Sequence, residues 1–188
     1  EACPDRPALT HDGKHYTYAQ LFSAAKRAAL YFSTGNCKFV CLLDTSSPAT
    51  PIALMGAAIA GIPYVPLNYR LSEEQLTPLL DRISPAYLIS GPRNETYDFD
   101  GWVVQDSADF LSDVLNGEEV EVTWHEDPSA VAVQLFTSGT TGIPKAALLR
   151  HEHLVSYILG SVEFMGALED EAALVTVPPY HIAGLSAA

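Results

Sequence analysis

The residues with the clearest chemical pattern are Thr137-Ser138-Gly139-Thr140-Thr141-Gly142-Ile143-Pro144-Lys145. Glycines at 139 and 142 let a backbone turn where other residues resist and approach a ligand closely. Successive N–H groups can then face one concavity, which attracts anions. Hydroxyls on Thr137, Ser138, Thr140 and Thr141 are donors for phosphate oxygens. Lys145 adds a mobile point charge, and Pro144 stiffens the approach to it. A Ser/Thr/Gly cluster alone is also the composition of a flexible loop; the terminal Lys makes an anion the more specific reading. Neither G-x-x-x-x-G-K-[ST] nor G-x-G-x-x-G is satisfied.

His181 is the second candidate, as a ligand-facing ring or as a cap packed beside Pro179 and Tyr180. His151 and His153 form an H-x-H pair whose members point to different faces of a helix, so they are read as helix-start and surface residues and not as a metal site. Cys3, Cys37 and Cys41 are odd in number and fit no zinc spacing; they are read as free thiols in a reducing, cytoplasmic setting.

Composition limits the partners. The 188 residues carry a formal charge of −13, which disfavours nucleic acid and anionic membranes. Beyond Arg93 the cations are Lys145 and Arg150, against sixteen Asp and Glu, so a Lys inside a Gly/Ser/Thr loop stands out. The longest apolar stretch, 52–65, is too short to cross a bilayer.

The chain must supply elements to hold these groups. Residues 17–33 have apolar spacing for a helix ending at Gly35, 38–44 read as a buried strand, and 48–60 as an apolar helix stopped by Gly61. Residues 63–67 read as extended. Ser72 opens a capping-box helix running to about Ile83, with Glu73 and Glu74 in its first turn, and 86–90 form a short strand. Alternation of strand and helix predicts an α/β fold, a mostly parallel sheet flanked by helices. Residues 91–129 are polar and acidic. They read as an excursion or linker between two αβ portions, with a strand over 102–105. Residues 131–136 form a strand that feeds the loop, 146–149 a returning strand, 151–165 a helix, and 172–177 a strand.

TSGTTGIPK resembles the glycine-rich phosphate loop of the adenylate-forming superfamily, which includes acyl- and aryl-CoA synthetases, luciferases and peptide-synthetase adenylation domains. YTYAQL (16–21), GIPYVPLNYRLSEEQL (61–76) and VPPYHIAGL (177–185) resemble further segments of that family in the right order. The family has Gly after the loop Lys, and this chain has Ala146. The resemblance implies that residues 1–188 are the first part of the large N-terminal domain. The acidic residue for magnesium, the Asp for ribose and the C-terminal domain with its adenylation Lys would all lie in later sequence. It implies Ser138, Gly139, Thr140, Thr141, Gly142 and Lys145 on the β- and γ-phosphates of ATP, with Thr137 supporting. It places Thr137 or Thr141 near Mg2+, and His181 by the acyl pocket.

The implied partners are a carboxylic acid, fatty or aromatic, with ATP, and either CoA or a carrier protein's phosphopantetheine. PPYHIAGL lacks the Phe-Asp pair of peptide-synthetase domains and resembles the CoA-ligase branch. The remaining readings are a fatty-acyl-AMP ligase, a peptide-synthetase adenylation domain, or a non-catalytic module retaining the fold. Residues 1–188 alone are expected to be inactive and to self-associate through exposed core.

Overall fold

A two-residue turn joins the first two strands. β1 (Pro7–His11) and β2 (Lys14–Thr17) form an antiparallel hairpin in which His11 faces Lys14. Asp12 and Gly13 between them have φ of 49° and 75°. Both are left-handed, as a type I′ turn requires. The computed structural model describes residues 3–91, 99–137, 144–163, 166–168 and 171–186.

Helix α1 (Tyr18–Thr34) begins at a capping box. The Thr17 hydroxyl accepts from the Gln20 N–H, and the Gln20 side chain accepts from the Thr17 N–H. The chain then alternates through β3 (Phe39–Leu43), α2 (Ala49–Ala60), β4 (Tyr64–Pro66), α3 (Glu73–Leu80), β5 (Ala86–Ser90), β6 (Val103–Asp106) and α4 (Ser107–Asn116). It closes with β7 (Val131–Thr137), β8 (Lys145–Arg150), α5 (His151–Ser161) and α6 (Ile182–Leu185). The six-stranded sheet has the order β6-β5-β3-β4-β7-β8. All its pairings are parallel except β7 with β8. This is the mostly parallel α/β fold that the sequence implies.

The central strands are almost wholly apolar because helices cover both faces of the sheet. Val40, Leu42, Tyr64, Tyr87 and Ile89 join the core under α1, α2 and α4. Their alternate neighbours Cys41, Leu43, Val65, Ala86 and Leu88 join the core under α3, with Leu76 and Leu80. Each successive side chain changes face, so one short strand serves two cores. Burial pushes the thiols of Cys37 and Cys41 up, which keeps them protonated and unreactive.

Residues 91–129 are more than an excursion. β6 pairs in parallel with β5, and α4 buries Phe110 and Val114 in the main core. The acidic surface of α4 hides its four apolar positions, 110, 111, 114 and 115, which share one helical face. Beyond it, residues 117–129 run without regular structure across the α1–α2 pair. Val122 packs on Ala25, Ala29 and Ile59; Trp124 lies 5.6 Å from Phe22 between ring centroids; the His125 N–H donates to the Ile59 carbonyl at 3.0 Å. His125 sits over Gly61, where a Cβ would come within 2.4 Å of its ring. Gly61 also has φ 70°, so only glycine suits this helix stop.

Helix α1 is capped at Gly35 as the sequence reads, with Gly35 right-handed and the left-handed turn residue after it Asn36, φ 48°. One further detail differs from the sequence reading. Residues 172–177, apolar enough for a strand, form none among those described, and Leu174 is 88% exposed. A strand needs a neighbour to take its backbone hydrogen bonds, and no described strand lies beside this one.

A polar chain ties the edge of the sheet to α4. The Tyr87 hydroxyl donates to Gln105 Oε1 at 2.5 Å, and Gln105 Nε2 donates to Asp113 Oδ2 at 2.7 Å. Burial first, then the nearby Tyr31, Asp113 and Cys37, push the Tyr87 hydroxyl from 10.0 up to about 12. The raised value means that folding favours the neutral phenol. Its contribution is therefore complete below pH 10 and is lost as pH rises through about 12. Tyr87→Phe is expected to flatten the fall in denaturation midpoint over that window. The flattening is partial because Cys37, Cys41 and Tyr64 are also pushed up. Midpoints measured against pH check this; parallel curves for the two proteins above pH 10 would refute it.

Candidate functional site

The strands β4 and β7 are parallel neighbours, with Tyr64 beside Val133. Segments that follow them therefore leave at one edge of the sheet, the carboxyl edge. In open α/β sheets this is where ligands bind.

At that edge β7 and β8 form a ladder whose last pair is Thr137 with Lys145. The Thr137 hydroxyl also reaches the Lys145 carbonyl, at 3.4 Å. The ladder thus holds the first and last residues of the Thr/Ser/Gly segment across from each other, both exposed. Ser138, Gly139, Thr140, Thr141 and Gly142 lie outside the described residues. Ala146 pairs with Phe136, and the ladder's one irregularity lies at its far end, between Val131 and Val133. An Ala after the Lys is therefore compatible with a regular stem.

Sequence reasoning missed Arg82. It follows α3 and lies 62 residues from the loop stem that it touches. Its Nη1 donates to the Pro144 carbonyl at 2.7 Å, and its guanidinium carbon lies 5.1 Å from the centre of the Phe136 ring. No local spacing could have shown this; the one available hint is a cation in a strongly acidic chain.

The segment carrying His181 docks nearby in topology. Tyr180 meets Tyr69, three residues beyond β4, edge to face at 5.5 Å between centroids. Arg70 lies 5.5 Å from the Tyr69 ring centre. His181 is exposed and caps α6: its Nδ1 accepts from the Ala183 N–H at 3.3 Å. That assigns the ring proton to Nε2 and leaves Nε2 as the atom that can meet a ligand. Gly184 passes close to Pro178, and Leu185 anchors the turn in the core.

The other histidines act locally. His153 Nδ1 accepts from the Arg150 N–H at 3.2 Å at the start of α5. Desolvation, then the neighbouring His125, lowers the pKa of His151. Asp127 is lowered by the hydroxyl and backbone N–H of Ser129, which fix the turn leading into β7. Among the described residues no group of three or more His, Cys, Asp and Glu could hold a metal ion.

The fold is an α/β one, a helix-covered and mostly parallel sheet with the Thr137–Lys145 pair at its carboxyl edge. The AMP-binding enzyme family model matches residues 1–188, and the chain belongs to that family. It is 27% identical over 187 residues to a 2-succinylbenzoate–CoA ligase of Bacillus subtilis, covering 98% of this chain and 38% of that protein. It is 29% identical over 177 residues to a plipastatin synthase of the same organism, covering 92% of this chain and 7% of that one. Among solved structures, ATP-bound MatB from Rhodopseudomonas palustris superposes with a TM-score of 0.82 at 25% identity, over 98% of this chain and 39% of that one. The chain therefore spans well under half the length of these proteins, and its fold is that of their N-terminal domains.

Proposed function

We propose that the protein to which these residues belong uses ATP to activate a carboxylic acid and then passes the acyl group to the thiol of CoA. The observation that carries this reading is the Thr137–Lys145 pair closing a Ser/Thr/Gly loop at the sheet's carboxyl edge, in a chain matched along its length by the AMP-binding family. A carboxylate oxygen attacks the α-phosphorus of ATP; that bond forms as the bond to pyrophosphate breaks. The thiol sulfur then attacks the acyl carbon, AMP leaves with the electron pair, and the thiol proton goes to solvent or a base. A carboxylate is a poor acyl donor, and joining it to AMP supplies the leaving group.

The loop acts on the first step. Ser138, Gly139, Thr140, Thr141, Gly142 and Lys145 are assigned to the β- and γ-phosphates, where they stabilise charge on departing pyrophosphate. Mg2+ fits as an ion brought by ATP: it keeps several waters and takes phosphate oxygens with one or two protein oxygens. The exposed Thr137 hydroxyl suits such a contact, and Thr141 is the other candidate. When bound, the ion would neutralise phosphate charge. His181 is assigned to the acyl pocket through Nε2.

The acid is proposed to be fatty or aromatic. The benzoate in the name of the Bacillus ligase supports the aromatic arm, and PPYHIAGL supports the CoA branch over a peptide-synthetase domain. Ala146 does not favour the non-catalytic alternative, because it sits in a regular strand. No helix among the described residues is long and apolar enough to cross a membrane; a cytoplasmic setting is proposed with it.

The test is acid-dependent ATP–pyrophosphate exchange by the full-length protein across a panel of fatty and aryl acids. Exchange with at least one acid is expected, and none with any would reject the reading. Residues 1–188 alone are expected to give no exchange and to sediment above monomer mass. The exposed Val155, Ile158, Leu159 and Val162 of α5 and its end support that association. A strictly monomeric chain at all concentrations would count against it.

A further inference from the structure

We propose that Arg82 is a positioning residue for the phosphate loop, holding both of its stems in place from outside the loop. This rests on the phosphate-binding reading of residues 137–145. The two contacts of Arg82 straddle the ladder's last pair. Phe136 precedes Thr137, and Pro144 precedes Lys145. One guanidinium thus lies over the Phe136 ring on the outgoing strand and donates an N–H to Pro144, just before the returning strand.

Arg82 is itself held firmly. Its N–H donates to the Leu79 carbonyl at 3.1 Å, and the Ile83 N–H donates to the Leu80 carbonyl at 3.0 Å. Ile83 is fully buried in the core beneath α3. The turn after α3 therefore fixes the Arg82 backbone beside the core, and the guanidinium extends from that fixed point. The geometry uses what arginine has and lysine lacks: a planar face for a ring, together with directional donors in the same plane. With its guanidinium over the Phe136 ring and Nη1 on the Pro144 carbonyl, Arg82 serves the protein's own loop stem, while Lys145 remains for the phosphates.

Two charge effects can be separated. If Arg82 merely draws phosphate by its positive charge, Arg82→Lys should behave as wild type. If it positions the stems, Lys should fail much as Ala does. In the full-length protein, Arg82→Ala is expected to raise KM for MgATP in pyrophosphate exchange by about tenfold, the scale of one charge-assisted hydrogen bond. The change in kcat should stay below about threefold, since the acid and the reacting phosphorus are not touched. Arg82→Lys should recover less than half of the logarithmic change. Neither variant should shift the denaturation midpoint of the whole protein appreciably, because the side chain is exposed.

Full recovery by Lys, or an unchanged KM in Arg82→Ala while Lys145→Ala slows exchange, would overturn the positioning role and leave the function standing. Loss of all exchange in the unaltered protein would sink the functional reading instead. Amide hydrogen exchange in the full-length protein then decides the clamp on its own. Faster exchange at residues 145–148 in Arg82→Ala, with α1 unchanged, is expected; equal protection at those amides would overturn it.

Discussion

Lys145→Ala in the full-length protein is expected to slow acid-dependent pyrophosphate exchange by about 10²- to 10³-fold, the usual cost of removing one preorganised group that stabilises developing charge. Lys145 is the first residue of β8 and is exposed, so its side chain is not needed for the core. Its backbone stays in the ladder opposite Thr137 whatever the side chain. The substitution therefore removes an ammonium and leaves the stem. The denaturation midpoint should hardly move. Lys145→Arg keeps the charge with a different shape and should retain more exchange than Ala. Exchange unchanged in Lys145→Ala would reject the assignment of this residue to phosphate. A loss of exchange that follows a loss of folding would fail to support it, which is why the midpoint is measured on the same samples.

Gly56→Leu is expected to be the most damaging single change in the helical layer. Gly56 lies where α2 crosses α1 at close range. A Cβ there would stand 2.8 Å from Ala28 Cβ, 3.0 Å from the Ala25 carbonyl oxygen and 3.1 Å from Phe32 Cε2. All three neighbours are fully buried, and two of the contacts are a methyl and a backbone atom that cannot rotate away. Leu adds a branched side chain to a gap too small for a methyl. Overpacking typically costs about 1–3 kcal/mol, and the upper end or beyond is expected here. The gain in helix propensity over Gly is about 1 kcal/mol and does not offset it. Gly160→Ala in α5 is the matched control. A Cβ there meets nothing within 4 Å, so the propensity gain should appear alone. Urea unfolding of both variants checks the pair; a Gly56→Leu midpoint equal to wild type would show that the helices separate at no cost.

The sheet's centre was legible because its strands carry a strong and simple signal. Phe39–Leu43 is wholly apolar, and Ala86–Ser90 and Val131–Thr137 are apolar apart from Ser90, Gln134 and Thr137, because a strand covered on both faces has few polar positions to blur it. The Thr/Ser/Gly segment stood out by its composition, and the strand returning from it was legible as well. What escaped depends on distance along the chain or on a partner. β1 and β2 are short and largely polar, so only the Asp12-Gly13 turn announces them. α4 escaped because Asp106 at its cap and Asp109 and Asp113 within it lend the region an acidic look, although Phe110 and Val114 face the core. Residues 172–177 misled in the opposite direction, since an apolar run specifies readiness to pair and not the neighbour. Arg82 could not be read at all: its role exists only once the turn after α3 and the stem of the loop have been brought together.

The antiparallel pairing of β7 with β8, in a sheet otherwise parallel, has a thermodynamic consequence for the segment between them. Bringing two chain ends together costs an entropy that grows with the logarithm of the intervening length. Here the ladder meets that cost on folding, because Thr137 and Lys145 are already paired. On the proposed reading, an arriving polyphosphate does not have to draw two distant strands together. A parallel partner for β7 would have needed a long crossover, with its own freedom to lose. The hairpin fixes the separation of Thr137 and Lys145 before any ligand arrives.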